Sequence, residues 1–301
     1  MSKLLKYYTK NKEKIIFPTN FDEEINEGDI LKTTKNLDLS DTKFNKKIGK
    51  NVIVNGIKTI HFSKYFNQKI EKDTIPESVE EIVFGEHFCQ DIYEDTLPKM
   101  LKKLVLKNNI IKNIFLPKNL EEFEFKSNLT LTTEFLPNTL KKLTIKTFEY
   151  KLLSLPKSLE YLDFMLGFQF EYSDIDIILD DNILHENLKY LRIPQFYGNI
   201  NNCIFPKNLE ILDINSCEDK LIKENIIPNT VHTIKGLSSK HNLIINSLPE
   251  TIREICFTTL SNNISNIPYH ITTIRIPYKK NSKYLVKVPF DCKILTYGEK
   301  Y

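Results

Sequence analysis

The chain has 301 residues, 41% of them hydrophobic and 27% charged, which is long and apolar enough for a substantial core and excludes an intrinsically disordered chain. A formal charge of +3 is small for this length, so no global basic field points to nucleic acid or an anionic membrane. No apolar run approaches a membrane span, and Met1 to Lys14 offers only the short apolar pairs Leu4-Leu5 and Tyr7-Tyr8, too little for a secretory signal.

Taken in chain order, residues 1–29 read as an N-terminal cap with a partial first repeat, and residues 30–278 as one repeating frame. The frame is an apolar residue, then Pro, then apolar residues three, six and eight positions after that Pro. Leu31 with Leu37 and Leu39, and Val54 with Ile57, Ile60 and Phe62, keep the frame without the Pro. The clearest copies follow at Pro76 (Val79, Ile82, Phe84), Pro98 (Leu101, Leu104, Leu106), Pro117 (Leu120, Phe123, Phe125) and Pro137 (Leu140, Leu143, Ile145). Pro156, His185, Pro206, Pro228, Pro249 and Pro268 continue it, and a degenerate copy at Pro289 lies in a C-terminal cap, residues 279–301. Ten of the 13 prolines occupy this one position. Units are 19–23 residues apart except for the step from Pro156 to His185, where an insertion near 166–184 loops out. The expectation is a single repeat domain, 1–301: a mainly β, right-handed parallel solenoid of about 13 turns.

Within each unit the last two apolar marks alternate, the period of a short strand with one buried face. Pro removes a backbone donor, so it belongs in the turn that feeds the strand. About twelve positions after each Pro site a second apolar mark, such as Phe44, Phe66 or Phe88, is predicted to fill the back of the coil. The fourth position after the Pro site reads Glu80, Lys102, Glu121, Lys141, Glu160, Lys189, and the fifth begins Glu81, Lys103, Glu122, Lys142. Adjacent parallel strands lie about 4.8 Å apart, so alternation of sign from coil to coil is what in-register stacking predicts.

Phe21-Asp-Glu-Glu-Ile25, Phe44-Asn-Lys-Lys-Ile48, Phe66-Asn-Gln-Lys-Ile70 and Phe88-Cys-Gln-Asp-Ile92, with Ile75-Pro-Glu-Ser-Val-Glu-Glu-Ile-Val-Phe-Gly85, resemble the FNIP repeat. That family is related to leucine-rich repeats and is found in slime moulds and large DNA viruses. The resemblance is specific over residues 21–106 and looser beyond. It implies a leucine-rich-repeat-like horseshoe and an interaction module. Many members carry an F-box linking them to a ubiquitin ligase, but fewer than 30 residues precede the first core here, so no such link is expected. The asparagine that forms a ladder in ordinary leucine-rich repeats is expected to be missing as a ladder, since the eleventh position varies through Thr42, Tyr65, His87, Asn109, Asn128 and Phe148.

Residues with chemistry are scattered. Cys89, Cys203, Cys217, Cys256 and Cys292 fall at five different offsets, with no metal-ligand or phosphate-loop spacing, so no cofactor, no metal and no enzymatic activity are expected. Without an export signal the thiols belong to a reducing, cytoplasmic setting, or to the host cytoplasm or particle if the chain is viral. Binding is expected on the strand residues that point out of the coil. Tyr161 and Tyr190 should lie side by side, with Asp163, Arg192 and Asp213 in the next column and Met165 and Pro194 beyond, a protein-interface composition. The same residues also read as one more alternating-charge ladder. Lys107, Lys126 and Lys146 form a column that fits either a solvated face or an acidic or phosphate-bearing partner. The acidic insertion, with Asp174, Asp176, Asp180 and Asp181, is read as a surface loop and fits no calcium loop. The expected function is binding of an unidentified protein through the concave sheet. The rivals are a structural or assembly component, and nucleic-acid binding through the lysine column.

Overall fold

The computed structural model describes residues 3–10, 14–108, 113–126, 135–146, 154–165, 184–193, 204–214, 227–241 and 245–297, with the backbone of 130–131 and 151–152. The chain divides into two compact units, Met1–Ser158 and Leu159–Tyr301. In the first, strands β1 (Asn36–Asp38), β2 (Thr59–His61), β3 (Glu81–Phe84), β4 (Lys103–Leu106), β5 (Glu122–Phe125) and β7 (Lys142–Ile145) pair in that order, all parallel. A second, two-stranded parallel sheet joins β6 (Thr130–Leu131) to β8 (Lys151–Leu152) on the return legs. In the second unit β9 (Tyr161–Phe164), β10 (Tyr190–Arg192), β11 (Ile211–Asp213), β12 (Thr233–Ser238), β13 (Glu254–Thr259), β14 (Thr273–Ile276) and β15 (Lys293–Thr296) pair in chain order, again all parallel. The chain is a mainly β parallel solenoid, but the expected count of about 13 turns comes down to about 9. Nine of these main-sheet strands reach four residues or more, whereas β1, β2, β10 and β11 are three-residue segments.

The Pro site works through its carbonyl. At Pro76, Pro98, Pro117, Pro137, Pro206, Pro228, Pro249, Pro268 and Pro289 it accepts the N–H three residues on, as in Val79 to Pro76 (3.1 Å), Leu140 to Pro137 (3.0 Å) and Ile252 to Pro249 (3.0 Å). Pro supplies an acceptor and has no donor to lose, so it suits the first position of this β-turn. The copies without Pro make the same bond, Ile57 to Val54 (3.4 Å) and Leu188 to His185 (3.2 Å). Two residues past the Pro site, a small polar side chain donates to a carbonyl of the preceding coil. Examples are Ser78 Oγ to Ile57 O (2.9 Å), Thr139 Oγ1 to Lys118 O (2.7 Å), Ser158 Oγ to Leu140 O (2.7 Å) and Thr251 Oγ1 to Val231 O (3.0 Å).

Two phenylalanine columns fill the first unit. Phe21, Phe44, Phe66 and Phe88 stack at 6.0, 6.0 and 6.2 Å between centroids, and Phe62 stacks on Phe84 at 4.9 Å. Phe62–Phe66 (4.4 Å) and Phe84–Phe88 (3.9 Å) join the columns across each coil, and all of these rings are buried. The residue after each back Phe builds a side-chain ladder along the return legs. Asp22 Oδ1 accepts the Asn45 N–H (2.8 Å), Asn45 Oδ1 that of Asn67 (2.9 Å), and Asn67 Oδ1 that of Cys89 (3.0 Å). The expectation that an asparagine ladder is missing is therefore corrected: it is present, but beside the back Phe instead of at the eleventh position.

Charge alternation holds in space. Lys102 (2.8 Å) and Lys58 (2.6 Å) flank Glu80, and Lys103–Glu81, Lys141–Glu121 and Lys189–Glu160 pair at 2.9, 2.9 and 3.0 Å. One register expectation fails. β15 pairs Arg275 with Leu295, so Leu295 takes the outward position expected of Thr296. Asp291, two residues after Pro289, adopts φ 61, unlike the residue at that place in the other Pro turns, and the altered turn feeds the strand in one residue out of step.

Asn67→Leu leaves the Cys89 N–H without its acceptor and is expected to cost about 1–3 kcal/mol in urea unfolding. Gly85→Ala drives a Cβ into the Ser63–Lys64 backbone and destabilises as well. Lys102, then Lys58, holds the Glu80 carboxyl at about 2, against an ordinary 4.5. A lowered folded pKa contributes stability that is present above pH 4.5 and is lost as pH falls towards 2. Thermal melts across that window should show a shallower acid decline for Glu80→Gln than for the wild type.

Candidate functional site

Strand alternation sets the site. Leu162, Phe164, Leu191, Ile193, Leu212 and Ile214 are buried inside the coil, which turns Tyr161, Asp163, Tyr190, Arg192 and Asp213 outward on β9, β10 and β11. The register places Tyr190 beside Tyr161, and Arg192 between Asp163 and Asp213. The five residues singled out in the sequence thus come together within the second unit.

Their geometry is a closed network. The tyrosine rings stack at 4.0 Å with 5° between planes. Tyr161 donates its hydroxyl to Asp163 Oδ2 (3.1 Å), and Tyr190 to Asp213 Oδ2 (3.3 Å). Arg192 reaches both acids, Nε to Asp213 Oδ2 at 2.9 Å and Nη1 to Asp163 Oδ1 at 3.3 Å. Both aspartates are only 4% exposed although they sit on the outward face, because the arginine and the tyrosines cover them. Burial, then the Asp163 charge, pushes the Tyr161 hydroxyl up to about 12, and the same causes with Asp213 raise Tyr190. Burial opposes the Arg192 charge, but the Asp213 and Asp163 carboxylates outweigh it and raise its pKa. Lys235, next in the outward row, lies 5.5 Å from the Tyr190 ring centroid, and Met165 is exposed just beyond β9.

Two of the three arginines serve half-buried pairs, while Arg253 is exposed. Arg192 and Arg275 (Nε to Glu254 Oε1, 2.5 Å) form the half-buried pairs of this face, whereas lysine serves the exposed pairs. The guanidinium is weakly hydrated and forked, so it can be held between two carboxylates where an ammonium would lose more hydration. Composition alone hid this, since the three arginines of the chain carry no motif.

Lys107, Lys126 and Lys146 directly follow β4, β5 and β7, whose end residues Leu106, Phe125 and Ile145 are in register. Lys107 and Lys126 are exposed, while Lys146 binds Glu124 at 2.5 Å. Most of the insertion near 166–184, Pro194, Cys203 and Cys217 lie outside the described residues. Cys89, Cys256 and Cys292 are free, and burial followed by the Glu254 charge pushes the Cys256 thiol up to about 12. Among the described residues no three His, Cys, Asp or Glu side chains gather as a metal site, and no helix is long and apolar enough to cross a membrane.

Comparison with solved structures supports the fold. CroV588, described as a novel circular LRR protein structure, is similar over 86% of this chain with 23% identity and a TM-score of 0.57. This chain covers 42% of CroV588, well under half its length. YopM from Yersinia enterocolitica matches 88% of this chain and 64% of its own, with 15% identity and a TM-score of 0.41. No curated protein matches. The FNIP Repeat family model matches residues 44–87, the segment that holds the Phe44–Phe66 stack and the Asn45–Asn67 ladder step. Residues 44–87 are therefore an FNIP repeat segment, set in a leucine-rich-repeat-like parallel β solenoid.

Proposed function

We propose that this protein is a non-enzymatic binding module that recognises another protein through the outward face of β9, β10 and β11. The observation that carries the reading is the stacked Tyr161–Tyr190 pair beside Arg192, with every side chain fixed before any partner arrives. Aromatic and arginine side chains dominate interface energetics. Association costs free energy for each side chain it must immobilise, and a surface already locked by its own hydrogen bonds avoids much of that cost. Tyr161, Arg192 and Lys235 remain partly exposed along this face, so a partner meets ring edge and positive charge together. A reducing, cytoplasmic-type setting is part of the proposal and is supported by the free thiols of Cys89, Cys256 and Cys292.

Affinity capture from the native cell, with wild type and a Tyr161→Ala, Arg192→Lys variant compared by mass spectrometry, tests the reading. A partner retained by wild type and lost by a variant of unchanged melting temperature supports it. Identical captures by both proteins sink it. Arg192→Leu serves as a folding control: it strips two buried carboxylates of their cation and is expected to lower unfolding free energy by about 3 kcal/mol.

A further inference from the structure

We infer that Asn55–Gly56 is a latent modification site, at which the Asn55 side-chain amide is lost through a cyclic imide, and that Ser78 of the next coil holds the reaction in check. Asn-Gly occurs once in the chain, at 55–56. It lies in the turn that feeds β2, with Val54 at the Pro site and Gly56 two residues on. Gly56 has φ 106, a backbone region that favours glycine, and Asp291 is the only other residue at this place in the frame with a positive φ. The turn demands glycine, and glycine leaves the nitrogen after Asn55 without a side chain to shield it. Asn55 is exposed and makes no hydrogen bond among the described residues, so its carboxamide can swing onto the Gly56 nitrogen. Asn246 and Asn281, each followed by serine, are held instead: Asn246 Oδ1 accepts from Asn266 (2.7 Å), and the Asn281 amide donates to Leu260 O (2.8 Å).

The chemistry runs on the backbone. Gly56 N gives its proton to hydroxide and attacks Asn55 Cγ. The new C–N bond closes the imide as the amide C–N bond breaks, and the expelled nitrogen takes a proton from water and leaves as ammonia. A water molecule then opens the ring at either carbonyl, giving aspartate or isoaspartate, whose main chain is longer by a methylene. The first step needs the Gly56 proton, and that proton is engaged: Gly56 N donates to Ser78 Oγ at 2.8 Å, and Ser78 Oγ donates to Ile57 O at 2.9 Å. One hydroxyl clamps both sides of the turn. A hydrogen-bonded amide releases its proton only when the bond opens, so the reaction waits on local opening. The turn itself is loosely closed, with Ile57 N–H to Val54 O at 3.4 Å against 3.0–3.2 Å in the Pro turns. Lys35 of the preceding coil acts against the clamp. Its ammonium lies 3.6 Å from where a Cβ on Gly56 would stand and pairs with no acid among the described residues, so it favours the anionic nitrogen and the carboxylate that follows. Isoaspartate at 55 lengthens the turn before β2 and loosens the 44–87 segment, much as the altered turn at Asp291 feeds β15 in out of step.

The test incubates the full chain in mildly alkaline heavy-oxygen water, which marks each opened ring, and reads tryptic peptide 51–58 by mass spectrometry for the change from amide to acid. Wild type should lose the Asn55 amide slowly when folded and quickly in urea. Folded Ser78→Ala should lose it about threefold to tenfold faster than folded wild type, the rate equivalent of one hydrogen bond. Ser78→Thr, which keeps the hydroxyl, should stay slow. Adding Lys35→Gln to Ser78→Ala should slow the loss about threefold. Thr251→Ala removes the corresponding hydroxyl of the second unit and should leave the rate unchanged, which separates the Ser78 bond from a general loss of stability. Equal rates for folded wild type and Ser78→Ala, equal acceleration by Thr251→Ala, or a faster change at Asn51 than at Asn55 would each overturn the proposal. Should Ser78→Ala not fold, hydrogen exchange of the Gly56 amide in wild type decides: slow exchange supports the clamp, and exchange at the rate of an open loop overturns it.

Discussion

A coil that returns on itself must satisfy the backbone groups of its return leg, and this constraint governs the rest of the first unit. Strand amides find partners in the neighbouring strand, but the return leg has no wide sheet of its own, and an unsatisfied buried N–H costs more than most single contacts supply. The chain answers with side chains. Asp22, Asn45 and Asn67 each accept the backbone N–H of the next coil, and Ser or Thr two residues past the Pro site donates to a carbonyl of the coil before. Because the ladder residue follows the back Phe, satisfying the backbone also fixes where Phe44, Phe66 and Phe88 stack. Packing and hydrogen bonding therefore select the same register, the agreement across levels expected of a chain with one preferred fold.

Once register is fixed, one position in the frame becomes one column in space. On the exposed margin of the sheet this yields Glu–Lys pairs, which contribute little stability but oppose a slip of one whole repeat. In the second unit the same arithmetic brings two aspartates and an arginine onto a covered part of the outward face, where charges are less hydrated and the geometry must be better. The tyrosine hydroxyls take up further carboxylate capacity, and their rings stack in consequence. A ladder that begins as a register device thus becomes a rigid aromatic and cationic surface. The structural and the binding readings of Tyr161 to Asp213 share the same contacts.

Much of this was legible in the sequence. The Pro frame located the strands from β1 to β14 other than β6 and β8, the sign alternation anticipated the pairing, and the five central residues converge as the spacing required. The ladder is not legible from a fixed distance to the strand, because its residues follow the back Phe instead. The shift of β15 escaped because it depends on the left-handed backbone of Asp291, which an aspartate adopts in some turns and not in others. The burial of Asp163 and Asp213 was hidden for a related reason: alternation says which way a side chain points, not what its neighbours lay over it. The number of turns was overestimated because a motif can mark a three-residue strand as readily as a longer one.

The claim that side chains on the return legs hold the coils in register is tested most directly by hydrogen exchange at the backbone amides of Asn45, Asn67 and Cys89. All three lie outside the strands, yet each donates to a ladder side chain. The account predicts that they exchange as slowly as the β3 and β4 amides, opening only with the whole unit. Exchange at the rate of an open loop would contradict it and would leave the phenylalanine columns and the sheet as the only sources of register.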